Sequence, residues 1–191
     1  MTVLASPRLI LRKFAPQDLD ALFALLRDER VNAFLPWFPA KCREDAERFY
    51  QAQRENPDFF AICRREQPDP IGYIKVSNDE SHDLGYALRR EFWHQGIATE
   101  AGRTLLEYLR TRQIPFLTAT HDVNNPRSGG VMQSLGMRYC YSYEEIWQPK
   151  NFPVIFRLYQ LDLDGQHHLD YDKYWNQFPK HFVETDIRRN P

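Results

Sequence analysis

Cysteine is scarce in this chain: Cys42, Cys63 and Cys140 are the only three among 191 residues. They are odd in number, scattered and without C-x-x-C spacing, which argues against a disulfide framework and against a structural zinc site. No sign of charge dominates, with 25 Lys and Arg against 26 Asp and Glu. No global field therefore recommends nucleic acid or an anionic membrane as partner, and any polyanion must be met locally. No run approaches the roughly 20 apolar residues that span a bilayer, and the N-terminus lacks a basic region followed by an apolar stretch. A soluble cytoplasmic protein is expected. The chain also lacks G-x-x-x-x-G-K-[ST] and G-x-G-x-x-G, so neither a mononucleotide kinase nor a dinucleotide enzyme is indicated. His167, His168 and His181 have no compact ligand spacing, and no metal is expected.

What is present centres on Glu91 to Leu106. The stretch follows the alternating Leu84-Gly85-Tyr86-Ala87-Leu88, which reads as a strand, and runs into Thr99 to Arg112, which has helical spacing. A strand that turns into a helix leaves free backbone N–H groups aimed at one spot, with the positive end of the helix dipole behind them. That is an anion site. Gly96 and Ala98 let a bulky diphosphate approach the backbone, and Thr99 is expected to cap the helix.

The length suits one domain with a substantial core. Arg8 to Arg12 reads as an opening strand, Asp18 as the N-cap of a helix carrying Leu19, Leu22, Phe23, Leu25 and Leu26, and Arg43 to Arg54 as a second helix. Between them Val31 to Pro39 holds Phe34, Leu35, Trp37 and Phe38 around two prolines, Pro36 and Pro39; it is either a lid over the core or a substrate wall. Phe59 to Cys63 and Ile71 to Val76 read as a hairpin turned at Gln67-Pro68-Asp69-Pro70, and with Leu84 to Leu88 they imply an antiparallel meander. Phe116 to Thr120 completes a parallel crossover, so the anion loop lies at the carboxyl end of a strand, where ligands collect. A short helix from Ser128 to Leu135, closed by Gly136, precedes strands from Tyr139 to Trp147 and Val154 to Leu163. The tail from Asp164 changes character: Tyr171, Tyr174, Trp175 and Phe178 fall at helical spacing, as expected of a segment docking on the domain or on a second subunit.

In order and in wording these elements resemble the GNAT superfamily of acetyl-coenzyme A-dependent N-acetyltransferases, closest to the branch of ribosomal-protein N-terminal acetyltransferases. The stretches that carry the resemblance are Arg8-Leu-Ile-Leu-Arg12 with Asp18, Val31 through Leu35-Pro36-Trp37 followed by Glu44 to Phe49, Leu84-Gly85-Tyr86, Trp93 to Ala101, and Asn125-Pro-Arg-Ser128 with Leu135-Gly136-Met137. They run from about residue 6 to residue 163. The resemblance implies an α+β, GNAT-type domain over residues 1–163: a mixed, mostly antiparallel seven-stranded sheet flanked by helices, with the cofactor cleft between the fourth and fifth strands. Residues 164–191 then form an aromatic extension packing on the domain or a partner subunit, and a homodimer is possible.

For function, the resemblance implies acetyl transfer from acetyl-coenzyme A to a primary amine, on a small molecule or a protein N-terminus, in a ternary complex. The diphosphate would sit on Trp93, His94, Gln95, Gly96, Ile97, Ala98 and Thr99. Leu88 N–H would hold the thioester carbonyl, and Asn125 the pantetheine arm. Many members place a tyrosine seven residues after that asparagine to protonate the thiolate, but here the position is Met132. Ser128 is the expected substitute, unless its hydroxyl only caps backbone. Asp83 is the first candidate base and Asp122 the second, with His121 marginal, although either carboxylate could instead be merely solvated. Trp37 and Phe38 would line the acceptor side. The alternative is a non-catalytic acyl-coenzyme A-binding module of the same fold, to which Met132 lends support.

Overall fold

The computed structural model describes residues 2–187, and among these the chain forms two sheets that nearly fail to meet. β1 (Val3–Ala5), β2 (Leu9–Arg12), β3 (Phe59–Arg64), β4 (Gln67–Val76) and β5 (Leu84–Leu88) pair antiparallel in chain order. β6 (Phe116–Asp122), β7 (Arg138–Trp147), β8 (Phe152–Asp162) and β9 (His181–Phe182) make a second antiparallel sheet in the order β6-β8-β7-β9. One parallel bridge, Asp83 to Thr118, joins them. Beyond that bridge β5 and β6 form no ladder, so the two strands part toward their carboxyl ends.

Helices cover both faces. α1 (Leu19–Leu26), α2 (Glu29–Asn32) and α3 (Arg43–Gln53) lie on one face of the first sheet, where Leu22, Leu25 and Ala46 pack against Phe59, Ala61 and Tyr73. α4 (Ile97–Arg110) and α5 (Pro126–Ser134) lie on the opposite face and run across the split, because Ala101, Leu105 and Leu109 pack on residues of both sheets, among them Phe60, Ile74, Leu117 and Tyr159. The burial of such side chains, each worth about 1.5–3 kcal/mol, is what holds the two sheets together where hydrogen bonds do not. The uncovered face of the second sheet is closed by the tail: α6 (Lys173–Gln177) brings Tyr174 and Trp175, followed by Phe178, onto Tyr141, Tyr143 and Phe156. No helix is long and apolar enough to cross a membrane among the described residues.

Nine strands replace the expected seven among the described residues, since β1 and β9 are short edge additions. The stretch Gln67-Pro68-Asp69-Pro70 is strand rather than turn; the chain reverses at Arg65 and Glu66. Its prolines cannot donate to the ladder, and they are accommodated where the register slips, Arg64 facing Gln67 while Cys63 faces Pro70. Asp18 does not cap α1 with its side chain. Its carboxylate instead takes two hydrogen bonds from Arg12, at 2.6 and 2.8 Å, and one from the Ala15 N–H.

Candidate active site

The split exposes one side of β5. In the antiparallel β4–β5 pair, Gly72 faces Leu88 and Ile74 faces Tyr86, while Arg89 N–H donates to the Ile71 carbonyl and Ser77 N–H to the Asp83 carbonyl. That alternation makes Leu84, Tyr86 and Leu88 the non-hydrogen-bonded positions, whose N–H and C=O groups point away from β4. They point into the gap before β6. The Leu88 carbonyl is taken by the Trp93 indole N–H at 2.8 Å, which fixes that ring against the strand end; the Leu88 N–H remains free to meet an acceptor in the gap. An extended amide-bearing chain can pair with such an edge as a strand would.

The next turn is the expected cradle, with two corrections. Trp93 N–H is spent on the Arg90 carbonyl at 3.1 Å, so its amide is not part of the cradle. Thr99 does not cap α4 either: the helix begins at Ile97, and Gly96 is the N-cap with φ of +72°, a conformation glycine adopts without penalty. His94 is also left-handed, at φ +59°, and its side chain is exposed. The backbone thereby turns twice within three residues, and among the described residues the N–H groups of His94, Gln95, Gly96, Ile97, Ala98 and Thr99 have no acceptor. Buried Ile97 anchors the turn to the core, and Gln95 is braced by its side chain on the Glu91 carbonyl at 2.7 Å. This donor set fits a diphosphate in number and sign.

Two cations that the sequence reading missed flank the cradle. Arg8 bonds the Gln95 carbonyl at 2.9 Å and the Glu100 carboxylate at 2.5 Å, tying the β1–β2 turn to the first turn of α4. Arg127 stands over the Trp93 ring, 5.8 Å from its centroid. Both are distant in sequence from the loop, and only the crossing of elements brings them there.

On the facing wall, Asn125 opens α5 half-buried, with no side-chain capping bond. Ser128, one turn further, does not merely cap: its hydroxyl lies 2.8 Å from the Tyr86 hydroxyl, which also reaches the Ser128 carbonyl at 2.9 Å. Tyr86 therefore spans the gap from β5 to α5. Burial pushes its phenol well above the usual range, against the Ser128 hydrogen bond, so it is a proton-bearing hydroxyl at neutral pH. Sequence reasoning passed over it as a strand residue. Met132, where a tyrosine was sought, is buried in the core.

The carboxylates separate clearly. Asp83 sits at the bridge where the strands begin to part, and its Oδ1 is buried with no hydrogen-bond partner. Burial lifts it to about 6, opposed by Lys75 and assisted by Asp79. Asp122 lies at the other end of β6 and spends one oxygen on Asn124, accepting from its backbone N–H at 2.8 Å and its side chain at 3.0 Å; it shapes the turn into α5. His121 packs against Gly129 on the α5 side, with Nδ1 at 2.8 Å from the Asp122 carbonyl and Nε2 buried without a partner. Burial lowers its basicity.

Trp37 and Phe38 border a cleft of about 430 Å³ with Leu26, Asp45 and Phe49. Trp37 is held by its indole N–H on Asn32 Oδ1 at 3.0 Å and edge-on to Phe49 at 5.1 Å, whereas Phe38 is 59% exposed. The two readings of this loop thus divide between two residues. Trp37 packs on the core cluster, and Phe38 faces outward.

A split mixed sheet, a helix N-terminus set at the carboxyl end of β5 and a free donor edge define an acyl-coenzyme A transferase fold. Residues 8–138 match the acetyltransferase (GNAT) domain family, and the chain belongs to it. It is a GNAT N-acetyltransferase, and acetyl-coenzyme A is its acetyl donor. Among similar proteins is an uncharacterized N-acetyltransferase, YnaD, of Bacillus subtilis, 26% identical over 140 residues, spanning 71% of this chain and 82% of that one. Among solved structures, RimL, a ribosomal L7/L12 alpha-N-protein acetyltransferase in complex with coenzyme A, has a TM-score of 0.76 at 19% identity, covering 86% of this chain and 100% of the other. A spermidine N-acetyltransferase from Vibrio cholerae in complex with coenzyme A and spermine has a TM-score of 0.69 at 15% identity, over 83% and 97%.

Proposed function

We infer that this protein acetylates a primary amine by direct transfer within a ternary complex, with Asp83 as the base and the Tyr86–Ser128 hydroxyl pair as the proton source for the departing sulfur. One observation carries the reading: Asp83, the titratable group at the junction of the two sheets, has a buried oxygen that no protein donor satisfies. An unpaired buried carboxylate is costly, and an ammonium group entering the cleft would remove the cost.

Roles for this chain's residues follow. The cradle amides from His94 to Thr99, with Arg8 and Arg127 beside them, would hold the diphosphate, and the open edge of β5 together with Asn125 would hold the pantetheine arm. The bound thioester supplies an electrophile that a neutral amine attacks without an enzyme nucleophile. Leu88 N–H would polarise the carbonyl. Asp83, poised near 6, would take the proton that makes the ammonium a nucleophile. The Tyr86–Ser128 pair would deliver a proton to sulfur and recover the one that the acetylated nitrogen sheds as the intermediate collapses, taking over from the absent tyrosine at Met132.

For the acceptor, a protein N-terminus and a small polyamine both remain consistent with a carboxylate at the cleft floor, and these are the acceptors named for the two solved proteins above. The test is release of free thiol from acetyl-coenzyme A with a panel of primary amines and N-terminal peptides, against Gly96→Glu as control. Turnover no greater than the control's, with cofactor binding intact, would reject the assignment of Asp83, Tyr86 and Ser128 to chemistry.

A further inference from the structure

Behind the backbone cradle stands a brace made of side chains. Glu100 lies in the first turn of α4, where a carboxylate ordinarily competes with an incoming anion for the helix dipole. Here the carboxylate is engaged elsewhere. Its Oε1 accepts the Ser6 hydroxyl at 2.6 Å and the Arg8 N–H at 2.9 Å, and its Oε2 accepts Arg8 Nε at 2.5 Å. The guanidinium offsets its charge. These donors are fixed in turn: the Ser6 hydroxyl accepts the Leu9 N–H at 3.1 Å, while Arg65 Nε donates to the Ser6 carbonyl at 2.7 Å and Arg65 N–H to the Arg8 carbonyl at 3.1 Å. The turn between β1 and β2 is thereby locked to the end of β3 on one side and to α4 on the other.

From this anchored turn Arg8 Nη1 donates to the Gln95 carbonyl at 2.9 Å, the one hydrogen bond that this oxygen receives among the described residues. The carbonyl belongs to the peptide joining Gln95 to Gly96, which is trans. In a trans peptide the C=O and the following N–H point in opposite directions. Holding the Gln95 oxygen on Arg8 therefore aims the Gly96 N–H away from Arg8, and among the described residues that N–H has no acceptor. The peptide lies between the two left-handed residues His94 and Gly96, and glycine lets its plane turn over at little steric cost. The bond from Arg8 removes that freedom.

We propose that Arg8 and Glu100 are positioning residues of the cofactor cradle: Glu100 orients the guanidinium, and Arg8, through the Gln95 carbonyl, turns the Gly96 N–H toward the diphosphate of acetyl-coenzyme A. This rests on the cradle reading above and adds how the loop is set before the cofactor arrives. The bond to the carbonyl also polarises the peptide and makes its N–H a stronger donor. An anion site by itself calls for a cation and not for the carboxylate beside it. The carboxylate has a purpose there only if it holds the cation in place.

Glu100→Gln separates the two accounts by sign. It removes a negative charge beside the cradle, so charge alone predicts tighter cofactor binding. The brace predicts weaker binding, because either setting of the amide turns its NH2 group on a donor, Arg8 Nε or the Ser6 hydroxyl and Arg8 N–H. Arg8→Lys keeps the positive charge without the fork that reaches both Glu100 and Gln95. Both variants and Arg8→Met are compared with wild type, in the full chain, for acetyl-coenzyme A affinity by calorimetry. Their KM and kcat are measured with acetyl-coenzyme A and with acetylpantetheine, which lacks the diphosphate. The direction of the Gly96 N–H is read in the ligand-free protein from its residual dipolar coupling, with Leu105 to Leu109 as reference. Expected are a tenfold or greater loss of affinity in Arg8→Met, nearly the same in Arg8→Lys and threefold or more in Glu100→Gln. The loss should appear in KM rather than kcat, be confined to the donor that carries the diphosphate, and accompany a changed Gly96 coupling in all three variants. Tighter binding by Glu100→Gln, wild-type affinity in Arg8→Lys, or an unchanged Gly96 coupling would overturn the brace. Equal use of the two donors by wild type would overturn the cradle reading instead, and the brace would then stand or fall on the Gly96 coupling. Should Arg8→Met fail to fold, Arg8→Lys and Glu100→Gln decide by the same criteria.

Discussion

The two banks of the cleft are built on different principles. On the β5–α4 side the candidate groups are main-chain: the free N–H groups of Leu88 and of His94 to Thr99, fixed by a ladder that ends at Arg89 and by left-handed residues at His94 and Gly96. On the other side the candidate groups are side chains, Asp83 at the bridge just before β5, Tyr86 on β5 and Ser128 on α5, brought together across some forty residues of sequence by packing alone. A backbone site needs only the right conformation and is indifferent to most side chains. A side-chain site is specific, and each of its members can be tested by a single substitution.

The comparison breaks hardest at Gly96. Gly96→Glu puts a left-handed strain and a negative charge into the cradle, and a loss of acetyl-coenzyme A affinity of 100-fold or more is expected by calorimetry, on the order of 3 kcal/mol or above. Gly96→Ala, which keeps the strain without the charge, should lose far less. If the two were equal, geometry and not electrostatics would govern that bank.

Next comes Asp83→Asn, which should leave cofactor affinity unchanged and lower kcat by 10- to 100-fold. The sign of its pH effect is set by burial. A base lifted to about 6 is charged above that value, so the wild-type rate should rise through pH 6 and level off, and the variant should lack that limb. Stability runs the other way: a carboxyl raised in the folded state favours folding while protonated, and the contribution is lost as pH rises through 6. Asp83→Asn should therefore melt higher than wild type at pH 8, by about 1–3 kcal/mol, and show little difference at pH 4. A variant that loses activity and stability together at pH 8 would mean that Lys75 and Asp83 form a supporting pair and that the acid limb belongs elsewhere.

The same contrast explains what the sequence disclosed. The strand from Leu84 to Leu88, the helix after it and Gly136, whose φ is +85°, carry their reasons locally: alternation, helical spacing, a glycine where the chain turns left-handed. The cradle was legible for that reason, and its errors were local too: α4 starts two residues before Thr99, and Trp93 N–H closes the preceding turn. Asp18 fits the cap pattern in sequence, yet a guanidinium six residues back outcompetes the helix for its carboxylate. Nothing local marks Tyr86 as a partner of Ser128, because the pair spans 42 residues and exists only where β5 and α5 face each other across the gap. Arg8 and Arg127 escaped notice on the same grounds. Asp83 and Asp122 look alike in a chain with 26 acidic residues; what separates them is that one meets two donors from Asn124 and the other meets none.

The smallest effect is expected at the hydroxyl pair, and it tests whether side-chain chemistry extends onto the backbone-built bank. Ser128→Ala removes one hydroxyl but leaves Tyr86 its bond to the Ser128 carbonyl, so a proton source persists and kcat should fall by about 3- to 10-fold with cofactor affinity nearly unchanged. Tyr86→Phe removes the hydroxyl that spans the gap and should cost about as much. If the two act as one relay, the double variant loses no more than the worse single one; independent roles would multiply. The proton donor matters only while sulfur departs, so the defect should shrink when the amine step is slowed by a poor acceptor. A Ser128→Ala defect that appears in cofactor affinity and not in kcat would return the hydroxyl to a role in holding α5 against β5.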